Sequence, residues 1–139
     1  MTTPSFVARW SQQGPQLLGL LRIVAAVIFI QSGTMKLFAF PVGMPPDGTT
    51  TAVLGSQIWF AGILEVFGGA LVLVGLFTRP VAFLLSGEMA VAYWQFHFPQ
   101  SAWPVVNNGT DAILYCFLWF YLSAAGPGSW SVDGRRRAR

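Results

Sequence analysis

Residues 17–40 read LLGLLRIVAAVIFIQSGTMKLFAF, an apolar run broken only by Arg22, Gln31 and Lys36. A helix rising ~1.5 Å per residue needs roughly 20 such residues to cross a ~30 Å hydrocarbon core, so this stretch reads as a transmembrane helix. Two further runs have the same character. Residues 58–77 (IWFAGILEVFGGALVLVGLF) carry only Glu65, and residues 80–98 (PVAFLLSGEMAVAYWQFHF) carry Glu88 near the middle. A fourth run, residues 110–126, lies near the lower length limit for a span.

These runs predict an all-α polytopic membrane protein, a bundle of four transmembrane helices with both termini in the cytoplasm. Its parts are an N-terminal segment 1–16, a transmembrane domain 17–126 with spans near 17–40, 58–77, 80–98 and 110–126, and a basic tail 127–139. Composition agrees: 9% of the 139 residues are charged, against about 25% in soluble domains, too few to cover a water-facing surface. Arg9 precedes the first run as in a signal peptide, but that run is too long and no small-residue cleavage site comes after it.

Orientation follows from the basic residues. Arg9, Arg79 and the cluster Arg135, Arg136, Arg137 and Arg139 flank alternate helix ends, while 41–57 and 99–108 contain no Lys or Arg. The positive-inside rule puts the basic flanks, and with them both termini, in the cytoplasm; the expected location is the inner (plasma) membrane. The basic tail beside an apolar helix suits anionic headgroups of the lipid bilayer rather than nucleic acid, for which an aromatic-interleaved basic face is missing. Cys116 is the only cysteine and His97 the only histidine, so the chain has no thiol pair and no bis-histidine haem site of its own. No metal-ligand spacing, P-loop or dinucleotide fingerprint is present, so no cofactor is expected within the chain.

An ionisable residue inside a span costs about 2.5–3.5 kcal/mol on insertion scales, and so faces a partner or has a use. Counted from the helix ends, Lys36 and Glu65 lie ~6 and ~10 Å from the outer boundary, Arg22 and Glu88 ~8 and ~12 Å from the inner one. Two structural charge pairs are therefore expected, Lys36 with Glu65 and Arg22 with Glu88. The basic residues have the alternative of snorkelling to their nearer interface. At helical spacing Glu88, Ala92 and Gln95 share a face, with Tyr93 and Trp94 adjoining. Lys36, Glu65, Glu88, Tyr93, Trp94 and Gln95 thus form a candidate ligand-binding set, an apolar aromatic cavity with carboxylates that suits a quinone headgroup. His97 and Asp111 are candidates for a proton relay near the outer end. Asn108-Gly109-Thr110-Asp111 reads equally as a helix start with a capping side chain.

Four local patterns in order resemble the DoxX family of small four-helix membrane proteins: G-x-x-K-L-F (Gly33, Lys36, Leu37, Phe38), E-x-x-G-G (Glu65, Gly68, Gly69), G-L-F-T-R (Gly75 to Arg79) and G-P-G-x-W-S-x-D (Gly126 to Asp133). Asp111 stands where the family often has Glu. The resemblance implies a bundle near the quinone pool, since one archaeal branch supplies a membrane subunit of a thiosulfate:quinone oxidoreductase and other members are linked to membrane complexes that resist oxidative stress. The leading expectation is a small membrane subunit or anchor of a redox complex, with quinone as ligand and a redox partner protein or a second copy of the chain as neighbour. The alternatives are a structural or partner-recruiting bundle, and a small-solute transporter, for which no internal repeat is visible.

Overall fold

The computed structural model describes residues 5–137 and is all-helical. A short α1 (Phe6–Ser11) leads into α2 (Gly14–Phe38), followed by α3 (Gln57–Val74), α4 (Thr78–Ala92), α5 (Thr110–Ala125) and the short α6 (Val132–Arg137). Among these residues the only β-type pairing is an isolated bridge between Met44 and Thr50. Arg139, part of the expected basic cluster, lies outside the described residues.

The helix ends reflect local chemistry. Pro15 sits in the first turn of α2, where its missing N–H costs nothing, and Ala39 closes the helix in the left-handed region just before Pro41. Ser56 caps α3 by accepting the Trp59 amide at 3.2 Å. Gly75, at φ 70°, ends α3, with its amide on Val72 O (3.0 Å) and that of Leu76 on Leu71 O (2.9 Å). This double bond pattern needs a left-handed residue and favours glycine. The chain turns at Gly75–Phe77, where Gly75 supplies the left-handed stop; Thr78 and Arg79 already belong to the first turn of α4, so this helix begins two residues before the expected span at 80.

Two helices, α2 with 25 residues and α3 with 18, are long and apolar enough to cross a membrane. α5 is apolar but shorter, at 16 residues. α2 packs along α3, and α4 along α5. Phe29, Val72, Leu85, Trp119 and Leu122 fill the space between them, each 2% exposed or less. Close approach of α2 and α3 requires Gly33, where a Cβ would come within 2.8 Å of Gly62 O and 2.9 Å of Glu65 Cβ. Outward positions are also apolar: Phe60, Phe67, Phe83, Leu114 and Phe117 are all more than half exposed. A surface of that kind is stable against lipid and unstable in water.

Two helices depart from α geometry, in both cases beside the charged residues of the interior. α3 widens into a π-helical turn over Leu64–Gly68, and the course of α4 continues in a π-helical turn over Tyr93–His97. Each widened turn inserts one residue into the ordinary helical count and rotates the remainder of its helix.

Candidate functional site

Between the C-terminal half of α2 and the N-terminal half of α3 lies a cavity of about 560 Å³. Its polar wall is made by Lys36, Glu65, Glu88, His97 and Asp111, and its apolar wall includes Phe29, Phe96 and Tyr115. Met44 and Pro45, from the loop after α2, cover one side. That loop is tied down where the Ala52 amide donates to Lys36 O at 2.7 Å.

Lys36 and Glu65 meet inside this cavity. Lys36 Nζ lies 2.7 Å from Glu65 Oε1 and 2.6 Å from Oε2, and also donates to Ser32 Oγ at 2.7 Å. Ser32 Oγ in turn donates to Glu65 Oε1 at 3.2 Å. Glu65 sits in the π-helical turn of α3 at 2% exposure. All of the ammonium's protons and both carboxylate oxygens are thereby satisfied, the condition under which a buried pair avoids the cost of lone desolvated charges.

Glu88 is different. Both of its carboxyl oxygens are buried, and among the described residues neither has a hydrogen-bond partner. The expected pair with Arg22 does not form. Arg22, fully buried, instead donates to five backbone carbonyls: Val72 (2.7 Å) and Leu73 at the end of α3, and Pro127 (2.8 Å), Ser129 (3.2 Å) and Trp130 (3.0 Å) in the segment after α5. A guanidinium presents five donors in a fixed fork, and a helix C-terminus offers carbonyls without intrahelical partners at the negative end of its dipole. Those acceptors outcompete one distant carboxylate.

The aromatic set on α4 is also rearranged. Tyr93, Trp94 and Gln95 do not line the cavity; Phe96 and His97 do. The cause is the π-helical turn, whose extra residue moves the inward face from 88, 92, 95 to 88, 92, 96. Gln95 accepts instead from Gln57 Nε2, and Trp94 is 60% exposed, packed against Phe98 at 4.8 Å. Tyr93 stacks on His97 with centroids 6.4 Å apart. His97 Nδ1 lies 2.9 Å from Asn107 O; since a carbonyl only accepts, Nδ1 carries the proton and Nε2 remains a possible acceptor. Asp111 lies in the first turn of α5, but the expected capping side chain is missing there: Gly109 is the N-cap, and Asn107 Oδ1 accepts the Gly109 amide at 2.7 Å in the turn before the helix. No group of three His, Cys, Asp or Glu side chains gathers as a metal site among the described residues.

The opposite end of the molecule is held by reciprocal caps. Arg79 donates to Ser123, Ala124 and Ala125 carbonyls at the end of α5. The Asp133 carboxylate accepts the Phe77 and Thr78 amides, at 3.0 and 2.9 Å, at the start of α4. Burial pushes the Asp133 carboxyl up, but the amide hydrogen bonds from Thr78 and Phe77 outweigh it and hold the group below the usual carboxylate range.

Residues 17–98 of the chain match the DoxX family. The chain belongs to the DoxX family. The match takes in α2, α3, α4 and the cavity residues on them. Among relatives of this DoxX chain, an uncharacterized protein of Haemophilus influenzae is 40% identical, covering 87% of this chain and 91% of the relative. An uncharacterized membrane protein of Mycobacterium tuberculosis is 26% identical, with 98% and 91% covered. The inner membrane protein YphA of Escherichia coli is 31% identical, with 87% and 91% covered. No solved structure matches significantly. Family, relatives and the apolar helices together support a membrane protein.

Proposed function

We propose that this DoxX chain is a small membrane subunit or anchor of a redox complex, whose interior cavity holds a lipophilic, quinone-like ligand beside Glu88. The carrying observation is the pairing pattern in that cavity. Lys36 and Glu65 satisfy each other, while Glu88 keeps two buried, unpartnered oxygens on the same wall. A carboxylate without a donor is costly at that depth, so Glu88 serves as a neutral acid. It then donates a hydrogen bond to a ligand carbonyl and exchanges its proton through the polar outer side of the cavity, where His97 and Asp111 lie. Electrons come from a partner protein, since the chain offers one cysteine and one histidine.

The reading includes a four-span bundle in the inner membrane with both termini cytoplasmic, the tail 127–139 included. Its support is the gathering of Arg9, Arg79, Arg135 and Arg136 toward one end, where Ser129 N bonds Pro15 O at 2.9 Å, and the lack of Lys or Arg in 41–57 and 99–108.

A purely structural bundle is the second reading, favoured by the full satisfaction of Arg22 and of the Lys36–Glu65 pair. Purification from native membranes, with mass spectrometry of extracted lipids and quinones, separates the two. Near-stoichiometric quinone is expected. A stable protein partner with no quinone would favour the structural reading.

A further inference from the structure

The interior cavity shares a wall with an apolar groove on the outside of the bundle. A second cavity of about 640 Å³ lies in the groove between α3 and α4, on the outside of the helix pair. The two cavities share Ala61, Glu88, Ala92 and Phe96 as walls. Small residues at 61 and 92 leave the partition thin, and Glu88 stands in it with both oxygens unpartnered.

The two sides of this partition differ in chemistry. Inside are Lys36, Glu65, His97 and Asp111. Outside, apart from Gln57 and Glu88 itself, the groove is lined by apolar side chains such as Phe60, Leu64, Phe83, Leu84 and Val91, and it runs along α4 from Pro80 to Phe96. Gly87 lies on its floor, and a Cβ there would meet nothing within 4 Å.

We propose that the groove between α3 and α4 is a tail site: it seats the apolar chain of an amphiphile whose polar head occupies the interior cavity beside Glu88, so that the ligand arrives sideways from the bilayer. This rests on the reading of the interior cavity as a ligand site and adds to it the ligand's shape and route. A head that hydrogen-bonds Glu88 must pass or straddle the partition, and a long apolar substituent on it finds the groove directly on the far side. Protons and water have a separate approach, past the polar outer wall. A ligand without a tail gains nothing from the groove; one with a tail gains the burial of each methylene laid in it.

The test uses the full chain in nanodiscs and two probes, a benzoquinone ring without a side chain and the same ring bearing a decyl chain. Gly87→Phe and Leu84→Trp fill the groove from exposed positions and leave the interior cavity untouched. Both variants are expected to weaken the decyl probe by about tenfold or more, the equivalent of roughly two buried methylenes, with the bare ring unchanged. A diazirine at the end of the decyl chain, photolysed on the wild-type protein, is expected to label the segments 60–64 and 83–91. Equal effects on both probes, no effect on either, or labelling confined to α2 and α5 would overturn the tail site while leaving the interior site standing. Wild-type protein that binds neither probe would remove the interior site and this inference with it. A wild-type dimer converted to monomer by the groove variants would assign the groove to a second copy and overturn the proposal.

Discussion

Lys36 Nζ and the Glu65 carboxylate form a two-oxygen contact at 2.7 and 2.6 Å, bridged on one side by Ser32 Oγ. The pair joins α2 to α3 across an interface already tightened by Gly33. Removing one member leaves a desolvated charge, which costs about 3–5 kcal/mol, whereas removing both leaves none. Lys36→Met and Glu65→Gln should therefore each lower the detergent Tm more than the double variant does. Three equal melting points would mean that the pair contributes no coupling.

Arg22 saturates five carbonyls from two distant segments, so lysine, with three donors on a compact ammonium, is not a conservative replacement. Each carbonyl left unpaired costs about 1–3 kcal/mol. Arg22→Lys is expected to lose at least about 2 kcal/mol and to loosen residues 127–137. Limited trypsinolysis should then cut at Arg135 and Arg136 faster than in the wild type; unchanged cleavage and Tm would show that the five bonds do not hold the tail.

Asp133 gives a pH dependence with a fixed sign. Its carboxyl is held below its ordinary value of 3.8 by the Thr78 and Phe77 amides, so the stabilisation is full above that ordinary value and is lost as pH falls through the lower folded one. The Tm difference between wild type and Asp133→Ala should be flat from neutral pH down to about pH 5 and should shrink below about pH 4. A difference that shrinks toward alkaline pH would contradict the assignment.

Orientation is checked with single cysteines in a Cys116→Ser background. Asp47→Cys is expected to react with an impermeant thiol reagent on intact cells, and Arg135→Cys only after lysis. The reverse pattern would invert the topology.

Much of this site was legible in the sequence, for identifiable reasons. Charged residues within apolar runs are conspicuous, and simple helix counting put Lys36 and Glu65 at matching depths. The same counting misassigned Arg22, because its acceptors are backbone carbonyls of Leu73 and of Pro127 to Trp130, which carry no side-chain signature and come together only through tertiary folding. It also misassigned Gln95 and Trp94, because a π-helical turn at Tyr93–His97 shifts the face by one residue and no local pattern announces it. The groove between α3 and α4 left no signal, since lipid-facing and groove-lining apolar residues read alike.

The central claim, that Glu88 is a neutral acid facing a ligand-accessible cavity, is met most directly by infrared difference spectroscopy at pH 7 on adding the decyl benzoquinone. The account predicts a protonated-carboxyl band that shifts to lower frequency when the quinone binds, and that is missing in Glu88→Gln. A wild-type spectrum with no such band, or with a band that the quinone leaves unmoved, would contradict it.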